Sequence, residues 1–212
     1  MSHAETQTSE AVEAITGESK PRSRGERRRA RILSAFHDCI LDKGYARTTL
    51  RDVSRKADIS ASHLLCYFSG TDAILEQYFE NVGKRIKERL DSFRTEQPIR
   101  QIELLTDLFF AGKGITRSEI GFMLECFGVA VHDKDLRKDK KKLDRYCKAY
   151  LTQLFDQLPA GPGKSEAHAE LAYALLIGLR TAAYFDKRLQ LATARQLFNE
   201  EMANLAGIRE RD

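Results

Sequence analysis

The 212-residue chain predicts an all-α protein, and three observations carry that prediction. Apolar residues recur three and four apart in about nine stretches, the spacing of one helix face. No stretch alternates apolar and polar residues as a half-buried strand would. The third observation is local. Thr49 to Phe68, TLRDVSRKADISASHLLCYF, has the pattern of two short helices joined by a turn at Asp58-Ile59.

The first 24 residues carry few apolar groups and no periodicity, so residues 1–24 are expected to be a disordered arm ending in basic residues. The first helix is predicted from Gly25 to Lys43, with Ile32, Ala35, Phe36, Cys39 and Ile40 as its buried stripe. Gly44 suits a left-handed cap after it. In the second helix, Leu50, Val53 and Ala57 share one face, and Thr49 can cap it. Ser60 can cap the third, whose apolar side is Leu64, Leu65 and Phe68 and whose other side shows Ala61, Ser62, His63 and Tyr67. A helix of two turns does not stand alone in water. Held by neighbours and presenting small polar groups outward, it fits a helix-turn-helix, whose second helix enters the major groove of DNA.

A long fourth helix starts near Thr71, with Ile74, Leu75, Tyr78, Phe79, Val82, Ile86 and Leu90 down one side. Pro98 suits the first turn of a fifth helix, and Gly112 to Gly114 breaks the pattern after Phe109. The sixth, about Arg117 to His132, is apolar on nearly all sides and is expected at the centre of a domain. The seventh, about Asp135 to Leu158, opens on the charged run RKDKKK, which is expected to be a solvated face. A Pro-Gly loop follows from Pro159 to Gly163. An eighth helix covers about Ser165 to Phe185, and a ninth about Ala192 to Ala206.

Charge and motifs narrow the function. Net charge is only +4, but Lys20 to Lys56 holds about a dozen Lys and Arg against a few acids, while the first nineteen residues are acidic. A basic block beside a helix-turn-helix is the electrostatic footprint of nucleic-acid binding. No phosphate-binding glycine loop, metal-binding HExxH or nucleophile elbow occurs, so neither an enzyme nor a bound cofactor or metal is expected. The richest apolar run, Ile120 to Val131, is interrupted by Glu125 and is too short to span a bilayer. With no signal-peptide pattern, no membrane partner and a cytoplasmic location are expected. Cys39, Cys66, Cys126 and Cys147 are widely spaced and are expected to be buried small apolar residues, with Cys126 or Cys147 the alternative as a redox sensor.

The run Arg29 to Phe79 resembles the DNA-binding domain of the TetR family of bacterial repressors. The resemblance rests on an apolar first helix ending at Gly44-Tyr45, on Thr48-Thr49, on the helix-turn-helix, on Tyr67-Phe68 and on an apolar fourth helix. This chain departs from the family pattern at Asp58 and Ser62, where Gly is usual, at Leu65, where Tyr is common, and at Thr71, where a Lys often stands.

The resemblance implies a helix-turn-helix DNA-binding domain over residues 25–70 and a helical ligand-binding and dimerisation domain over residues 71–212. It implies DNA contacts from Thr49, Arg51, Ser60, Ala61, Ser62, His63, Tyr67 and Thr71. Arg51 and His63 would fall at base-reading positions and Tyr67 at a phosphate position. It also implies a small-molecule effector in an apolar cavity, with Phe109, Met123, Phe127, Tyr150 and Tyr173 as candidates, though core packing explains each equally well. Finally it implies a homodimer through the last two helices, at Gly178, Ala182, Phe185, Leu197 and Phe198. The expected function is a ligand-responsive repressor released from a double-stranded DNA operator. The second reading is an all-α small-molecule sensor with weakened DNA binding.

Overall fold

Local capping decides where the first helices begin. In a computed structural model that describes residues 23–111 and 117–208, α1 (Arg24–Lys43) opens on a Ser23–Glu26 capping box. Five arginines crowd its first eight residues, which the helix dipole opposes, and the Glu26 carboxylate and the box offset that cost. Lys20, Arg22 and the rest of the expected arm lie outside the described residues, apart from Ser23 and Arg24, which belong to the cap and first turn of α1. The C-terminal cap differs from expectation. Gly44 has φ 80° and ψ 161°, a region that glycine alone adopts readily, rather than the left-handed helical cap. A Cβ there would also stand 3.2 Å from Glu125 Oε1.

A 3-10 turn (Tyr45–Arg47) leads to α2 (Leu50–Lys56) and α3 (Ala61–Leu65). The chain continues as α4 (Thr71–Phe93), α5 (Pro98–Phe110), α6 (Arg117–Ala130), α7 (Lys134–Phe155), α8 (Ser165–Phe185) and α9 (Leu191–Ala206). Pro98 occupies the first turn of α5, where its missing N–H costs nothing. No strand occurs among the described residues. The expected sixth helix ends early, at Ala130, and Val131 beyond it is exposed.

The chain forms two compact units. Among the described residues, the first joins those up to Arg85 to Gly121–Asp139, and the second joins those of Ile86–Ile120 to those from Lys140 onward. The expected boundary at residue 71 therefore does not mark the units: α4, α6 and α7 each contribute to both.

The first unit is built on Ile32, Phe36, Val53, Leu64, Ile74, Phe122 and Leu136, all nearly or fully buried. His37 packs within it against Tyr78 and Phe122, with ring centroids 5.7 and 4.8 Å away. The second unit is built on Leu90, Leu105, Tyr150, Leu154, Phe155, Leu176, Phe198 and Met202. Its Pro-Gly loop is fixed by glycine geometry: a Cβ on Gly161 would fall 1.6 Å from the Phe155 carbonyl oxygen. That loop is tied to the end of α9 by the Ala160 N–H, which donates to the Ala206 carbonyl at 3.1 Å.

Candidate nucleic-acid interface

Seven residues make α2 and five make α3, too few for either to form without support. Two devices hold them. Thr49 and Asp52 form a reciprocal capping box: the Asp52 N–H donates to Thr49 Oγ1, and the Thr49 N–H donates to the Asp52 carboxylate at 3.0 Å. Ser60 caps α3, its Oγ accepting from the His63 N–H at 3.1 Å. Between them the turn needs a left-handed residue, and Asp58 supplies it with φ 53°. Aspartate tolerates that conformation better than most residues. Its carboxylate also accepts from Arg31 at 3.1 Å, a bond that glycine could not make.

Charge is arranged tightly under this surface. Asp52 pairs with Lys43 at 2.5 Å and with Arg55 at 3.2 Å. Hydrogen bonds from Lys43 and then Thr49 hold its carboxyl well below the ordinary range, so it stays ionised. Lys56 reaches Asp42 at 3.0 Å and Asp38 at 3.7 Å. Arg31, Lys43, Arg55 and Lys56 of the basic block are thus paired with acids of their own unit. Tyr45 is anchored twice, by its N–H to Glu125 at 3.1 Å and by its hydroxyl to Asp72, and burial followed by the Asp72 bond raises its pKa.

The eight residues expected at DNA fall together on the segment from the α2 cap to the start of α4. Thr49, Arg51, Ser60, Ala61, Ser62 and His63 are exposed, and Tyr67 and Thr71 are half-buried. Ser60 and Ser62 hydroxyls lie 3.1 Å apart. Tyr67 lies between the His63 ring, 5.5 Å away, and the Arg29 guanidinium, 5.8 Å from its ring centroid. Arg29 also lies over Phe68, at 5.1 Å.

Two expectations fail here. Leu65 is 51% exposed and does not join Leu64 and Phe68 in the core. One residue is a 100° step on a helix, and Leu65 stands four after Ala61, on the outward face. Cys66 is exposed as well, while Cys39, Cys126 and Cys147 are buried as expected.

The residues expected around an effector divide between the units. Phe109 and Tyr150 are core residues of the second unit, and Tyr173 packs against that core. Phe127 packs against the core of the first unit, and Met123 belongs to that unit too. The second unit holds buried and half-buried polar groups among its apolar ones. The Tyr150 hydroxyl donates to Gln101 at 2.9 Å, and the Tyr173 hydroxyl donates to Asp144 at 2.6 Å.

On α8 and α9 the expected interface residues separate by one position. Gly178, Ala182, Phe185 and Leu197 are exposed, Phe185 at 71%. Phe198 is fully buried, its ring 5.3 Å from that of Phe110, so it belongs to the subunit core and not to a surface.

Family comparisons agree with this geometry. Residues 32–78 match the model of bacterial regulatory proteins of the tetR family, and residues 98–207 match the BetI-type transcriptional repressor C-terminal region. The chain is 26% identical over 175 residues to the HTH-type transcriptional regulator BetI 1 of Chromohalobacter salexigens, covering 80% of this chain and 86% of that protein. Over 81 residues it is 37% identical to the regulator HbdR of Aromatoleum, covering 38% of this chain and 32% of that one. Two solved structures share the fold. A Pseudomonas aeruginosa transcriptional regulator superposes with a TM-score of 0.74 at 17% identity, covering 88% of this chain and 93% of that one. A Saccharomonospora viridis regulator in complex with choline superposes with a TM-score of 0.72 at 19% identity, covering 83% and 95%. With family models spanning both its helix-turn-helix and its C-terminal helices, the chain belongs to the TetR family of ligand-responsive, DNA-binding transcriptional regulators.

Proposed function

We propose that the chain is a homodimeric repressor in which α3, steered by α2, reads an operator, and in which an effector held by the second unit releases it. One observation carries the DNA part: the eight expected contact residues form one exposed or half-exposed surface on capped helices. Arg51 reads guanine with its guanidinium, His63 meets a base edge, and the Thr49 and Ser60 caps and Tyr67 meet phosphates. Leu65, exposed beside them, meets a thymine methyl group. The alternative of a sensor with a weakened DNA-binding end is not favoured, because Asp58 adopts the turn conformation and both caps are formed.

The outer face of α8 supports the dimer. Leu171, Ala174, Gly178, Ala182 and Phe185 are exposed and fall three and four apart, a continuous apolar seam suited to a second helix. Leu197 on α9 adds to that apolar exposure. Two subunits paired there place their recognition helices in successive major grooves, roughly 34–36 Å apart. Phe109, Tyr150 and Tyr173 are the effector contacts in this proposal. A ligand changes operator binding only as far as it prefers one conformation over the other.

Fluorescence anisotropy with labelled duplex DNA tests the DNA part, titrated across a range of salt concentrations. Binding that weakens linearly in log salt is expected. A folded protein with no affinity for any duplex at low salt would overturn it. Sedimentation tests the assembly. Wild type should be a dimer at micromolar concentration, and Gly178→Arg should be a folded monomer.

A further inference from the structure

Arg180 is a cation inside the second unit. It is the one charged residue between Glu170 and Asp186, in the run LAYALLIGLRTAAYF, and it is only 7% exposed. Its neighbours one turn away on α8, Leu176 and Ala183, are core residues. Its guanidinium lies over the ring of Phe109, 5.7 Å from the centroid. Its Nε has no hydrogen-bond partner. Glu119 and Tyr173 act on it through their fields rather than through a hydrogen bond, and the Tyr173 hydroxyl is given to Asp144. Burial pulls the Arg180 pKa down to about 10, against the opposing pull of Glu119 and then Tyr173, so it remains charged at neutral pH.

A guanidinium buried with an unused donor is costly, and proteins keep such a group where an anion completes it. Nε–H and one Nη–H form a planar fork that matches the two oxygens of a carboxylate. We infer that the effector of this regulator is a small apolar or aromatic monocarboxylate, whose carboxylate is received by Arg180 and whose body lies against Phe109. The inference rests on the reading of the second unit as the effector-binding part. It also sets this chain apart from the choline-bound Saccharomonospora viridis regulator. A quaternary ammonium is held by open aromatic faces. Here a fixed cation covers one face of Phe109 and would repel it.

The test uses the full-length protein, thermal unfolding and matched probes: benzoate and octanoate, their uncharged amides, and choline. The carboxylates should raise the wild-type midpoint, by roughly 3–6 °C at about ten times their dissociation constant, while the amides and choline do not. Arg180→Met should remove the carboxylate shift. Without any probe, Arg180→Met should melt no lower than wild type, because it removes an incompletely bonded buried charge. An unliganded variant melting several degrees lower would show that the guanidinium is a structural group and overturn the inference. Wild type shifted by choline and not by carboxylates would overturn the ligand class while leaving the effector reading intact. No shift by any carboxylate at millimolar concentration would overturn it too. Duplex binding by wild type, unchanged by every probe, would instead count against ligand response itself.

Discussion

The two units of this chain use polar groups in opposite ways. In the first, short helices are fixed by bonds at the surface: Thr49 with Asp52, Ser60 with His63, Arg31 with Asp58. In the second, helices of 13 to 23 residues enclose polar groups within an apolar core, as with Tyr150 and Gln101 or the guanidinium of Arg180. A surface that meets a polyanion in water needs its groups aimed but solvated. A core that selects one small molecule gains more from few groups, because each unbonded one is expensive away from water.

The largest expected effect breaks the comparison at the core of the second unit. Phe198→Ala should lower unfolding stability by about 3–5 kcal/mol, followed by chemical denaturation. Its neighbour Leu197→Ala should leave stability within about 0.5–1 kcal/mol and weaken the dimer instead. Equal losses would remove the distinction between core and seam. Next comes Arg51→Ala, expected to cost about 1–3 kcal/mol of operator affinity with the dimer and its melting point unchanged. Smaller again is Thr49→Ala, which removes the α2 cap and should cost about 1 kcal/mol of stability.

The same box gives a pH prediction. The folded pKa of Asp52 lies below its unfolded value, so its ionised form favours the fold. That contribution is present above the unfolded pKa, about 3.9, and is lost as pH falls through the folded value. Melting points of wild type and Asp52→Asn should therefore differ at pH 6, and the gap should narrow progressively below about pH 4, closing only as pH reaches the depressed folded value. A constant gap would show that Asp52 acts through shape rather than charge. The mildest test perturbs no stability at all. Iodoacetamide at pH 8 should modify exposed Cys66 well before Cys147, whose thiol burial pushes up to about 12. Bound duplex DNA should slow the reaction at Cys66.

Much of the first unit was legible because its determinants are local. A cap is a residue type at a fixed offset from an apolar stripe, and Thr49 and Ser60 both stand where that rule puts them. The helix order was legible for the same reason. What escaped was fixed by tertiary packing. Leu64 and Leu65 are chemically alike, and so are Leu197 and Phe198 as apolar residues, but one step along a helix turns the side chain by 100°. For stripes wide enough to include both, the sequence cannot say which member a neighbouring helix covers. Arg180 left a visible signal, a single charge in an apolar helix, but its meaning depends on Phe109 from another helix. Phe127 and Phe109 looked equivalent as ligand contacts until the fold placed Phe109, on α5, in the second unit and Phe127, on α6, against the core of the first.

The first unit closes its core with residues from far along the chain. Phe122, Cys126, Ala130 and Leu136 arrive through the segment 121–139, and Glu125 holds the Tyr45 amide. For protein engineering this makes the regulator a poor subject for simple cut-and-splice. A hybrid fusing residues up to Arg85 to another regulator's sensor region would leave those four residues behind. Its helix-turn-helix would keep its own sequence and lose part of the core it packs on. A working hybrid has to transplant two separate pieces, the N-terminal stretch and 121–139, and leave the donor sensor only what remains.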